Sequence, residues 1–173
     1  MTEPLLHQRE HHYGPVGRTL DRLSRAFAVG GALCLLAMAL MSLCSVLGRA
    51  LLSAPIPGDF ELVQVMSAVA VVMFLPYCQM ARGHVIVDFF SSGLQQRTHD
   101  HLDLIAHLLM SAGAFTFSWR MSLGLADLAR NGDATMLLNL PVWYGYLPFV
   151  LSFFLLGCTA LHAAWEDFTG VRR

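Results

Sequence analysis

The sequence predicts an all-α integral membrane protein with four transmembrane helices and additional interfacial amphipathic helices. The first observation behind this is composition: of 173 residues, 55% are apolar and only 13% are charged. A soluble domain carries about 25% charged residues, so this chain lacks the polar groups to cover its own surface. The second is the mean hydropathy of +0.54. The third is distribution, because the apolar residues fall into four long stretches and the formal charges fall almost entirely between them.

Ala26 to Gly48 forms a charge-free run of 23 residues. As a helix it extends about 34 Å, enough to cross a hydrocarbon core of about 30 Å. A secretory signal has a shorter apolar region followed by a small-residue cleavage site; this run is longer and ends in Arg49, so a retained span is expected over 26–48. The second run, Leu62 to Ala81, lies between Glu61 and Arg82 and contains Pro76. Proline removes one backbone donor, which lipid tolerates when neighbouring helices cover the freed carbonyl. The third span is placed at 102–124, with Arg120 near one end, where its stem can reach the interface. Ala134 to Trp165 is longer than a span needs; Pro141 and Pro148 divide it, which places the fourth span at 144–164 and its preceding segment at the surface.

Four spans put both termini on one side. The arginines of the two tails and the central loop (Arg9, Arg18, Arg22, Arg25, Arg82, Arg97, Arg172 and Arg173) outnumber Arg49, Arg120 and Arg130. The positive-inside rule then makes the termini cytoplasmic. The chain divides into a cytoplasmic tail with an amphipathic helix over 1–25, a membrane domain over 26–165, and a cytoplasmic tail over 166–173. Val16, Leu20, Leu23 and Phe27 recur at helical spacing, as in an amphipathic helix lying along the interface and leading into the first span. A second such stripe, Ile86, Phe89, Phe90, Gly93 and Leu94, marks the central loop.

The chemistry-bearing residues are few. All 11 basic residues are arginine and the net charge is −1, so no basic patch exists for nucleic acid to bind. The four cysteines, Cys34, Cys44, Cys78 and Cys158, lie inside apolar runs and lack metal-ligand spacing. His99, Asp103 and His107 share one helical face, yet Thr98 as an N-cap, with Asp100 and Asp103 in the first turn, accounts for the acids without a metal. His107 and His162 fall at compatible depths for two axial ligands, which leaves a haem or quinone membrane anchor as one alternative. A small autonomous transporter is the other. It would require ionisable groups deep in the spans, and spans one, two and four have none. No Gly-x-Ser-x-Gly elbow, phosphate-binding loop or HExxH is present, so no catalytic residue is assigned.

Charges do gather at one predicted edge. Arg49, Asp59 and Glu61 flank the short Pro55-Ile56-Pro57-Gly58 turn. Arg49 and Glu61 are the expected pair, either as a structural tie or as contacts for an external protein. Small residues at Ala26, Gly30 and Cys34, and from Ser111 to Ala114, are the expected faces for a membrane partner.

The order of these residues resembles a known family. Arg49 ends the first span, Asp59-Phe60-Glu61-Leu62 opens the second, and Met80-Ala81-Arg82-Gly83-His84-Val85-Ile86-Val87-Asp88 closes it. Together with Pro141-Val142-Trp143-Tyr144 and Tyr146-Leu147-Pro148, this is similar to the small membrane subunit, DctQ type, of tripartite ATP-independent periplasmic (TRAP) transporters over roughly residues 18–165. The resemblance implies a non-catalytic permease subunit in the bacterial inner membrane. Its implied partners are a large membrane subunit, a periplasmic solute-binding protein and membrane lipids. It binds no cofactor itself, while the complex uses a sodium gradient to take up an organic acid or similar solute. The resemblance places Arg49, Asp59 and Glu61 at the periplasmic edge, and Arg82, Gly83, His84 and Asp88 in the cytoplasmic turn.

Overall fold

A computed structural model describes residues 15–52, 57–81 and 96–169. They form four helices: α1 (Pro15–Leu52), α2 (Asp59–Met80), α3 (Gln96–Asn131) and α4 (Trp143–Thr169). Each contains a stretch long and apolar enough to cross a membrane.

α1 is longer than its expected span. The stretch read as a separate amphipathic helix is continuous with it, because no proline follows Pro15 before Leu52 to interrupt the backbone ladder. Within that stripe Val16 and Leu23 are exposed, whereas Gly17, Ser24, Gly31 and Ser45 are buried, so these two side chains turn away from the other helices. The second expected interfacial helix, over Ile86–Leu94, lies outside the described residues.

The helices pack in the order α1, α2, α4, α3, so α1 and α3 occupy opposite edges and α4 is the most enclosed. α1 meets α2 through glycine: a Cβ on Gly31 would stand 3.2 Å from the Ala70 carbonyl oxygen and 3.3 Å from Met73 Cβ. The Cys34 thiol donates to the Met66 carbonyl at 3.4 Å. α2 and α4 approach where Val65 lies 3.2 Å from the Cβ position of Gly145. α3 and α4 are joined by two interhelical bonds: Ser111 Oγ donates to the Gly157 carbonyl at 3.1 Å, and Ser118 Oγ to the Val150 carbonyl at 3.1 Å. Phe115 fills the notch at Gly157, with ring carbons 3.0 Å from where a Cβ would sit.

These contacts correct one expectation in part. Of the small residues expected to face a partner, Gly30 lies against Met73, Cys34 against Met66, Ser111 against Gly157, and Ala114 is buried, whereas Ala26 and Ala112 are exposed and a Cβ on Gly113 would meet nothing within 4 Å. Small side chains let helix backbones come close and gain van der Waals contact, and here they do so within the chain.

The same contacts set the helices in register. From Asp59 to Gln79, α2 covers about 30 Å, the thickness of a hydrocarbon core. Ser118 opposite Val150, with Gly145 opposite Val65, puts Arg120 midway along that length. Arg120 was expected near one end of a span over 102–124; the helix that carries it continues to Asn131, about 16 Å further. The extension occurs because Asp127 and Arg130 do not break a helix; they end only the apolar run.

Candidate functional site

At the Asp59 end of the bundle, the end of α1 meets the start of α2. Gly58 caps α2 in the left-handed conformation, with φ of 81°, a region open to glycine at no steric cost. Asp59 and Glu61 stand in the first turn, where the positive end of the helix dipole favours carboxylates. Asp59 Oδ2 accepts a 2.6 Å hydrogen bond from the buried Ser45 hydroxyl and faces Arg49 Nη2 at 3.7 Å. The Arg49 side chain is 57% exposed, so this ion pair contributes about 0–1 kcal/mol. The charge-assisted Ser45 bond is the firmer tie between α1 and α2.

Glu61 does not pair with Arg49. Its Oε1 accepts the Leu137 N–H at 3.1 Å and its Oε2 the Leu138 N–H at 3.4 Å. One carboxylate therefore fastens the loop between α3 and α4 onto the start of α2. Leu138 caps the arrangement by sitting directly on Gly58, where a Cβ would meet Leu138 Cγ at 2.6 Å.

The loop is itself closed by hydrogen bonds. Thr135 N–H donates to the Leu140 carbonyl at 2.9 Å, Val142 N–H to the Asp133 carbonyl at 3.0 Å, and Leu140 N–H to Thr135 Oγ1 at 3.2 Å. Gly132 and Asn139 take positive φ, the usual device for reversing a chain in few residues. Its tip presents Met136 and Leu137, which are 98% and 70% exposed. Beside it, Trp143 and Tyr144 stack at 4.0 Å, amphipathic rings of the kind that settle at headgroup level.

The Gln79 end holds a second polar assembly. Gln79 Nε2 lies 3.0 Å from His107 Nδ1, and His107 Nε2 lies 3.5 Å from Asp167 Oδ2. With the amide nitrogen donating, Nδ1 accepts and the ring proton is on Nε2, facing the carboxylate. Gln79 and His107 are both buried, and the group links α2, α3 and α4. Nearby His162 faces Glu166 at 3.7 Å. Both His107 nitrogens are thus engaged by protein groups, and no metal-binding cluster occurs among the described residues. Sequence reasoning singled out His107 but not its partners; the available signal was Gln79, one of two amides in a mostly apolar helix. Arg82, Gly83, His84 and Asp88, expected to form the turn after α2, lie outside the described residues.

The chain is therefore a multi-pass helical membrane protein with organised polar groups at both ends of an apolar bundle. Its family follows from comparison: the model of the DctQ component of tripartite ATP-independent periplasmic transporters matches residues 38–170. The chain belongs to this family, the small membrane component of TRAP transporters. Neither curated proteins nor solved structures gave a match.

Proposed function

We propose that this subunit braces the large membrane subunit of a TRAP transporter and offers its Asp59 end to the periplasmic solute-binding protein. The observation that carries this reading is the uncharged interior. Among the described residues, the one formal charge well inside the apolar length is Arg120, and it lies on the outer face of α3 rather than between helices. A secondary transporter working alone keeps ionisable residues facing the bundle interior or a water-filled cavity. Here Ser111 and Ser118 of α3 are used to join it to α4.

In this reading the Asp59 end faces the periplasm and the termini face the cytoplasm of the bacterial inner membrane. The loop held by Glu61 presents an ordered, partly apolar surface that a soluble protein can meet without first ordering it, which favours docking. Sodium coupling and the choice of an organic acid or similar solute belong to the partners.

The test is to express the tagged chain in its native membrane, extract it mildly and identify what copurifies. Recovery of the large polytopic subunit in roughly equal amount supports the reading. A chain that is recovered alone and catalyses uptake when reconstituted by itself overturns it.

A further inference from the structure

α3 carries a charged stripe on a face that no other described element covers. Gly113, Thr116, Arg120 and Asp127 fall within about 60° of one another around the helix. They lie opposite His107, Ser111, Ala114 and Ser118, which are the buried side. Thr116, Arg120 and Asp127 are exposed, and a Cβ on Gly113 would meet nothing within 4 Å. Among the described residues Arg120 makes no ion pair or hydrogen bond.

Its depth makes this exposure costly. The register set by Ser118 with Val150 and by Gly145 with Val65 puts Arg120 about 14 Å along the helices from Asp59 and about 16 Å from Gln79. An arginine stem spans no more than about half of either distance. Helical side chains also lean toward the N-terminus of their helix, which for α3 is the Gln79 end, away from the nearer edge. Arginine at the centre of a membrane helix costs about 2.5–3.5 kcal/mol even on insertion-based scales, so a bare lipid contact is a poor environment for this face.

The geometry points to the Arg120 face of α3 as the seat of the large membrane subunit, which places an acidic side chain against the guanidinium at mid-membrane depth. This rests on the function proposed above and deepens it by naming the surface and the chemistry of the contact. The gap at Gly113 lets a partner helix approach closely, and the Thr116 hydroxyl adds a polar neighbour one turn away. A second copy of this chain does not suit. A two-fold axis along the membrane normal keeps every residue at its own depth and so sets Arg120 beside Arg120, like charge on like.

The experiment places a photoreactive amino acid at Thr116 of the full-length tagged chain in its native membrane. A comparison variant carries it at Leu36, on the lipid-exposed side of α1. Illumination should join Thr116, but not Leu36, to the large membrane subunit. In parallel, Arg120→Leu should reduce the copurifying large subunit by about tenfold, a difference of about 1.4 kcal/mol, with Arg120→Lys losing less. Membrane insertion and the melting temperature of the separately purified subunit should stay unchanged, because Arg120 is exposed and makes no ion pair or hydrogen bond among the described residues. Capture of lipid alone or of a second copy at Thr116, or full copurification with Arg120→Leu, overturns this inference while leaving the subunit function intact. Complete absence of the large subunit from the unsubstituted preparation overturns both.

Discussion

Glu61 shows how a single carboxylate can tie together distant parts of the chain: it opens α2 and accepts two backbone N–H groups from a loop 76 residues away in sequence. Glu61→Ala leaves those donors to water and should release the loop by about 1–2 kcal/mol. Hydrogen exchange at the Leu137 and Leu138 amides should accelerate, with little change in the melting of the bundle, and Glu61→Gln should fall between the two. The same change should weaken assembly or docking without altering which solute is captured; an altered preference with normal assembly would contradict the proposed role. Sequence reading placed Arg49, Asp59 and Glu61 at one edge because all three flank the same short turn. It did not find the partner of Glu61, since a backbone amide has no side-chain signature. Asp59, not Glu61, faces Arg49 because it is the residue aligned with Ser45 on α1.

At the scale of the element, lipid reverses the usual sense of an amphipathic helix. Along α1 the buried residues Gly17, Ser24, Gly31 and Ser45 fall in one seven-residue register, the repeat of a helix keeping one seam toward its neighbours. Leu33, Leu36 and Leu40 point outward. The apolar stripe from Val16 to Phe27 was legible, but the seam that packs inward was not, because lipid solvates leucine as readily as a protein core does and leaves the inward side to small residues. Gly31→Leu should separate α1 from α2, since its Cβ alone would stand 3.2 Å from the Ala70 carbonyl oxygen. A loss of about 1–3 kcal/mol, read as a lower melting temperature in detergent, is expected. Leu36→Ala, on the outer side, should leave that temperature nearly unchanged.

At the scale of the molecule, the four membrane-length helices found among the described residues were readable because a bilayer fixes how long an apolar run must be. Their lateral order was not, because helices apolar all round give no periodic sign of which neighbour they meet. The placement of α4 between α2 and α3 rests on local fits such as Val65 against Gly145 and Phe115 against Gly157, which are shape matches without a sequence motif. Orientation rests on the arginine distribution and can be tested at the loop tip. With the native cysteines replaced, Met136→Cys should react with a membrane-impermeant maleimide applied from the periplasmic side. Labelling only after the membrane is permeabilised would invert the topology.

The side-by-side order of the helices has a mechanical consequence. α1 holds mainly to α2, while α2, α3 and α4 are fastened at one end by Gln79, His107 and Asp167 and at the other by Glu61. Pulled from its amino terminus, the subunit would shed α1 like an outer stave and keep the other three as a unit. Tension reaching the amino-terminal helix would thus be spent at the α1–α2 seam before it disturbed the loop held on Gly58 and Glu61.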